Sequence, residues 1–383
     1  MRYRKFGSLD WNVSALGFGI MRMPVIDGEY GRIDEEAGLK LVREAIDSGV
    51  NYLDTAWNYH GEGSEGFLGR VLADGYREKV RIATKMPCWL VEKPDDLDRY
   101  FDIQMERLQV DRIDFYLLHA LQRDWWERMK EAGFRRWAEK KLADGVIGNL
   151  GFSFHGMFPL FRRIIEEYDL WTMTMVQHNY MDAEREAGTA GIRLAADKGL
   201  AVVAMEPLRG GQLAKEPPPG IGEIFRKAVP GRSIAEWGLR WLWDQSEISM
   251  VLSGMSAPEQ VRENIRIACE TGPGCMEDSE KEAIEAVKLA YEERAGIGCT
   301  FCGYCLPCPM GAAIPWIFEY YNISSMYDDI RRARGHYAML DQSNRGDVCT
   351  SCGRCVEHCP QHLDIPSLLA ECHSVLKPAD PPV

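Results

Sequence analysis

The sequence predicts an α/β chain: a (β/α)8 barrel followed by a smaller, mostly α-helical module. Three observations carry this. Eight short β-branched or aromatic runs alternate with amphipathic stretches from about residue 10 to 256. Of twelve cysteines, eight fall between Cys299 and Cys359. The length of 383 residues, at ~150 per domain, gives about two and a half domains and allows one large barrel or two to three smaller units.

Taken in order, the opening 2–14, with turn residues Gly7, Ser8 and Asp10, reads as a hairpin that plugs the bottom of the barrel. Strands are expected at 15–19, 52–55, 80–85, 114–119, 147–152, 175–177, 201–205 and 250–253. Helical spacing lies between them at 34–48, 95–108, 158–168, 187–198, 233–243 and 258–271. Ser233 is placed to cap free amides, and Pro258 suits a first helical turn. Eight strands, each with a helix after it, over roughly 250 residues is the arithmetic of a closed barrel. The Pro-rich 216–220 breaks regular structure and reads as a loop after the seventh strand, on the face where barrels carry function. One more amphipathic helix, 279–293, ends at Ala295-Gly296-Ile297-Gly298. The expected boundary therefore divides a barrel, 1–294, from a second domain, 295–383. Trp237 and Trp241, spaced i,i+4, read as core.

Charge narrows the function. With 45 Lys and Arg against 58 Asp and Glu, the net charge is −13, which argues against a broad nucleic-acid or anionic-membrane footprint. Small substrates or protein partners remain. No apolar run approaches the ~20 residues of a membrane helix, and the start has no signal-peptide core. A cytoplasmic location without membrane insertion is expected.

The cysteine runs are Cys299-x2-Cys302-x2-Cys305-x2-Cys308-Pro309 and Cys349-x2-Cys352-x2-Cys355-x3-Cys359-Pro360. Soft thiolates at this spacing bind zinc or iron–sulfur clusters. A third close cysteine and a trailing Cys-Pro favour the latter, since zinc ribbons use separated pairs. The runs predict two [4Fe–4S] clusters, three cysteines of each run wrapping one cluster while the fourth reaches its neighbour. The sets are then Cys299, Cys302, Cys305 and Cys359, and Cys349, Cys352, Cys355 and Cys308. The first run is one residue shorter than the bacterial ferredoxin pattern before its last cysteine. Helical spacing at 314–321 and 326–340 makes the module resemble the α-helical dicluster ferredoxins. Cys88, Cys269, Cys275 and Cys372 share no spacing and read as buried or surface thiols.

In the barrel, Asp54, Tyr59, Lys85 and His119 stand at or just beyond the ends of strands two to four, where barrels place catalysis. A carbonyl receiving hydride develops alkoxide charge and needs a proton donor with fixed donors aimed at oxygen. Tyr59 would donate, with the Lys85 cation drawing its pKa down from ~10 toward working pH. Asp54 would hold Lys85 charged, and His119 would orient the substrate oxygen. Asp54 and Lys85 alone read equally as a buried ion pair. Four such residues at successive strand ends favour chemistry.

The strings Leu53-Asp54-Thr55-Ala56-Trp57-Asn58-Tyr59, Ala83-Thr84-Lys85 and Tyr116-Leu117-Leu118-His119 resemble the aldo-keto reductase family closely, and the resemblance spans about residues 1–290. It implies that the four residues are a catalytic tetrad. It also implies a nicotinamide, NAD(P)(H), in the barrel mouth, touched by Gly151-Phe152-Ser153, Gln177, Asn179, Pro207, Leu208, Gly210 and Gly211. Ser253, Gly254 and Met255, with Gln260 and Asn264, match the family's adenosine-phosphate loop and helix, where helix N-termini and glycines suit anions. Three positions depart from the family pattern: Phe154 stands for the usual Asn, Met205 for the aromatic that stacks on nicotinamide, and Gln260 for the base that reads a 2′-phosphate. NAD and NADP stay open. His155 and His178 follow strands five and six, as extra acids or ligands at the mouth or as satisfied loop histidines. Trp57 and Trp89 line an apolar pocket or close the barrel top.

The fusion sets a mismatch, because nicotinamide moves two electrons as hydride and a cluster passes one. A flavin, a stepwise substrate radical at Tyr59, or a converter on a partner would reconcile them. The expected function is an oxidoreductase acting on a small carbonyl or alcohol, its clusters exchanging electrons with ferredoxin or another redox protein. The alternatives are a non-catalytic nicotinamide-sensing or electron-transfer subunit of a larger complex, and clusters that only staple the C-terminus.

Overall fold

The computed structural model describes residues 1–377. The tail of the expected second domain, 378–383, lies outside the described residues. The chain opens with an antiparallel hairpin of β1 (Tyr3–Lys5) and β2 (Asn12–Ser14), in register Tyr3 to Ser14. Phe6, at its turn, is fully buried and packs edge-on against Phe115, 5.0 Å between ring centroids, so the hairpin does plug the barrel floor. Gly7 sits at φ +57°, and a Cβ there would lie 2.4 Å from the Ala201 nitrogen, so only glycine fits this approach.

Eight parallel strands close in sequence order: β3 (Leu16–Gly19), β4 (Tyr52–Asp54), β5 (Arg81–Met86), β6 (Ile113–Leu121), β7 (Ile147–Phe154), β8 (Trp171–Gln177), β9 (Ala201–Met205) and β10 (Met250–Ser253). The last pairs with the first, Val251 opposite Leu16. All eight expected strands form, and β6 and β8 extend beyond their expected ends. The helices Glu35–Asp47, Asp95–Leu108, Phe158–Glu167, Gly188–Asp197, Ile234–Asp244 and Pro258–Glu270 lie where helical spacing put them. Asp34 and Ser233 accept the Ala37 and Glu236 amides as N-caps. After β6 the chain makes two helices, Arg123–Glu131 and Phe134–Ala143, broken at Gly133 with φ +75°.

The chain divides into two compact units. The first comprises Met1–Ala214 and Ser233–Asp278, and the second Lys215–Arg232 with the chain from Ser279 onward. In the second unit the helices Ile314–Met326, Ile330–Ala338 and Ile365–Leu376 bury Ile317, Phe318, Tyr337, Leu369 and Leu376 together with the Cys372 thiol. The segment 215–232 is a Pro-rich loop followed by the helix Ile221–Ala228, which the sequence reading missed. Within that unit Lys215 pairs with Asp329 at 2.7 Å, and Arg232 pairs with Glu280. Among the described residues no helix is long and apolar enough to cross a membrane.

Candidate active site and cysteine cage

Side chains alternate along a strand, so residues two apart share a face. Tyr52 and Asp54 in β4, Ala83 and Lys85 in β5, and Phe115, Leu117 and His119 in β6 therefore point inward together. The lower members pack with Met173, Val203 and Met250 in the apolar interior. The upper member of each series is polar and buried: Asp54, Lys85 and His119. Lys85 Nζ donates to Asp54 Oδ1 at 2.5 Å and to the Thr55 carbonyl at 2.8 Å. It lies 5.0 Å from the Tyr59 ring centroid, and that ring meets His119 edge-on at 5.9 Å. The four expected residues converge.

Their charge states follow from burial and neighbours. Burial pushes the Asp54 carboxyl up, against the pull of Lys85. For Lys85 burial acts downward, but Asp54 and then Tyr59 outweigh it, so the ammonium is held charged. For Tyr59 burial is the larger effect, and the net shift is upward despite Lys85. This corrects the expectation of a phenol drawn down toward working pH: Tyr59 is a protonated acid at neutrality. Burial, then Lys85 and His155, drive His119 well below its ordinary range, leaving a neutral imidazole. Asp54 Oδ2 and His119 Nδ1 are buried without a hydrogen-bond partner.

Two supports were not legible as such. His60, buried at φ +51°, accepts the Met23 N–H at Nε2, so its Nδ1 carries the proton and donates to the Tyr30 carbonyl at 2.6 Å. This anchors the turn that carries Tyr59. Beneath Lys85, fully buried Glu65 accepts from Thr84 Oγ1 and Gln104 Nε2, both at 2.6 Å, and Gln104 also donates to the Lys85 carbonyl at 3.0 Å.

A cavity of about 640 Å³ opens above the barrel, with Asp54, Asn58, Tyr59 and His119 in its wall. Of the expected cofactor contacts, Pro207, Leu208, Gly210, Gly211, Ser253, Gly254, Met255, Gln260 and Asn264 line it, as do Met205 and the unforeseen Arg22 and Glu206. Gly151 and Phe152 are buried within β7 and do not line it, and three others are engaged elsewhere. Ser153 Oγ accepts the Ala120 N–H at 2.7 Å, and Gln177 and Asn179 donate to Asp182 at 3.3 and 3.2 Å. Gln260 accepts the Ser256 N–H, and Asn264 donates to Ser253 Oγ. His155 lines the cavity, whereas His178 turns to Gln245 and packs on Trp241. Trp57 donates to Glu62 beneath the Arg107 guanidinium, and Trp89 packs against His119 and Trp125.

In the second unit Cys299, Cys302, Cys305 and Cys359 line one enclosure, walled by Ile314, Pro315, Phe318, Leu363 and Ile365. Burial and then the crowding of Cys299, Cys302 and Cys355 push the Cys305 thiol up to about 12. The Cys355 thiol is raised by burial and then by its neighbours Cys349, Cys308 and Cys352. Crowded thiolates repel one another, and bound iron would relieve that repulsion, so the donor set fits clusters. The two runs repeat a local turn. Phe301 and Ser351 both sit at φ +57°, and each donates its amide to the first sulfur of its run at 3.4 Å.

Fold and site together define a barrel oxidoreductase carrying an iron–sulfur module. The aldo/keto reductase family matches residues 15–271 and a 4Fe-4S dicluster domain matches 298–363. The chain belongs to the aldo/keto reductase family. It is 25% identical over 305 residues to L-galactose dehydrogenase of Arabidopsis thaliana, covering 74% of this chain and 93% of that one. It is also 25% identical to the NADH-specific methylglyoxal reductase of Escherichia coli (strain K12), covering 69% and 93%. The holo form of an aldo-keto reductase from Bacillus halodurans superposes with a TM-score of 0.63 at 25% identity, covering 75% of this chain and 96% of that one.

Proposed function

We propose that the chain interconverts a small carbonyl compound and its alcohol, with Tyr59 as proton donor and acceptor, and that its eight clustered cysteines hold two [4Fe–4S] clusters serving a redox partner. The observation that carries this is the meeting of Asp54, Tyr59 and His119 on one cavity wall, with the Lys85 ammonium fixed behind them. A reduced nicotinamide bound along Gly254, Gln260 and Asn264 would supply the hydride. The chain's own part is to place the carbonyl oxygen between Tyr59 and neutral His119. His119 donates without adding charge, Tyr59 delivers the proton as alkoxide forms, and Lys85 then stabilises the phenolate that remains. A relative named as NADH-specific, and the presence of Gln260, support NADH at least as well as NADPH. In the module the cross-linked sets are Cys299, Cys302, Cys305 with Cys359, and Cys349, Cys352, Cys355 with Cys308. The enclosure shared by Cys359 and the first run supports that crossing. Ferredoxin or a similar one-electron carrier is the partner that such clusters serve.

The test is Tyr59→Phe in the anaerobically purified, cluster-loaded protein, following NADH or NADPH oxidation with small aldehydes. Loss of about 10²–10⁴ in kcat is expected with cluster spectra unchanged. Retained turnover overturns the assignment and favours a sensing role.

A further inference from the structure

The cavity holds a histidine that the proton transfer just described leaves unused. His155 follows β7 and lines the same cavity as Tyr59 and His119. Its Nδ1 lies 3.2 Å from Glu186 Oε1, and 37% of its side chain is exposed. The carboxylate fixes one ring nitrogen, which leaves Nε2 for a ligand. Glu186 Oε2 is buried with no hydrogen-bond partner, so this acid serves His155. Glu186 and Glu206, the second acid near the ring, both adopt left-handed backbone, at φ +55° and +50°. For side chains with a Cβ that conformation is strained, and such strain gathers at binding sites.

We propose that His155, oriented by Glu186, is a specificity-determining residue that holds a hydroxyl of the substrate close to the reacting carbonyl, so that hydroxylated carbonyl compounds are preferred to plain ones. The inference rests on the carbonyl reduction proposed above and names its substrate class.

The two cavity histidines have different electrostatic surroundings. His119 is kept neutral, which suits polarising a carbonyl. At His155 burial acts downward, but Glu186 and then Glu206 outweigh it, so the ring is held as a stronger donor. Glu206 lines the cavity too and supplies an acceptor. A hydroxyl both accepts and donates, and it complements this pair. An alkyl group in place of the hydroxyl would leave the free His155 nitrogen without a partner. Sites built to bond a hydroxyl discriminate against analogues lacking it for that reason.

The experiment compares kcat/KM for hydroxyacetone against acetone and for glyceraldehyde against propanal. It uses the full-length, cluster-loaded protein with reduced nicotinamide under anaerobic conditions. The parent is expected to favour the hydroxylated member by about 10- to 100-fold. His155→Ala should bring both ratios toward one, chiefly by slowing the hydroxylated member, and His155→Gln, which keeps a donor, should restore part of the preference. Equal ratios in a parent that turns over all four compounds overturn this inference alone. So does a His155→Ala variant that slows both members alike. A parent that reduces none of the four, glyceraldehyde and hydroxyacetone included, overturns it together with the proposed function.

Discussion

Lys85→Met separates what the buried ion pair does for stability from what it does for chemistry. Asp54 Oδ1 accepts from Lys85 at 2.5 Å, Oδ2 has no hydrogen-bond partner, and neither side chain is more than 2% exposed. Removing the ammonium therefore strands a carboxylate with no other bond, at a cost of roughly 3–5 kcal/mol. Against a total of about 5–15 kcal/mol, that brings the barrel near its unfolding threshold. Adding Asp54→Asn removes the stranded charge. The double variant should recover part of the loss, since the buried Asn amide and the Thr55 carbonyl, which forfeits a 2.8 Å bond, stay unpaired at about 1 kcal/mol each. Turnover should not recover, because the phenolate of Tyr59 would form beside no cation. Ten of the eleven tryptophans lie at or before Trp243, so fluorescence during urea unfolding reports on the barrel. Carbonyl-dependent nicotinamide oxidation is measured on the same samples. A single variant as stable as the parent, or a double variant with parental turnover, would refute the reasoning.

Three further outcomes are expected. Cys359→Ser should lower iron from about eight toward about four per chain and spare the set containing Cys308, while Cys308→Ser does the converse; iron, sulfide and electron paramagnetic resonance measurements check this, and unchanged iron in both variants would remove the crossed ligation. Burial lowers the His178 imidazole from 6.5 to about 4. Between those values the unfolded chain binds a proton that the folded chain refuses. Stability is thus full above pH 6.5 and falls toward pH 4, by roughly 3 kcal/mol in all. His178→Asn should flatten that slope in acid-unfolding curves, and an unchanged slope would show that another group carries it. Finally, Gln260→Arg should shift the NADPH to NADH ratio of kcat/KM upward by about 10- to 100-fold, since a charge-assisted bond to a 2′-phosphate becomes available. No shift would mean that the adenosine end lies elsewhere.

Much of this was legible because periodicity reports on packing. The inward series ending in Asp54, Lys85 and His119 follows from strand alternation alone, and spacing alone groups the cysteines. What was hidden has particular causes. The first half of β8 escaped notice because Thr172 and Thr174 interrupt its apolar run, yet their hydroxyls bond to the Leu150 and Phe152 carbonyls at 2.8 and 3.4 Å. Polar residues satisfied in this way sit comfortably in a barrel wall. Glu65 looks like any solvated helix position until Thr84 and Gln104 are seen to enclose it. His155 and His178 have like settings in the sequence. Only the path of each loop, one toward the cavity and one toward Gln245, tells them apart.

The Tyr59 phenol gives the sharpest contrast between pairwise expectation and three-dimensional balance. Lysine beside tyrosine suggests a lowered pKa, but Asp54 and the Thr55 carbonyl already engage that ammonium. The field reaching the phenol is then that of a nearly neutral pair, and desolvation prevails. The proton stays on oxygen until alkoxide charge develops on the substrate beside it. Carbonyl reduction, which needs the acid form, should therefore hold level through neutrality and decline only above the ordinary tyrosine value of ~10. Alcohol oxidation needs the phenolate and should climb with pH over the same range. Asp54→Asn leaves the Lys85 charge uncompensated, so it should move both limbs to lower pH. The pH profiles of kcat in the two directions, recorded for parent and variant, test this. A parental limb near pH 7, or limbs in the variant that stay put, would mean that some group other than Tyr59 governs the proton.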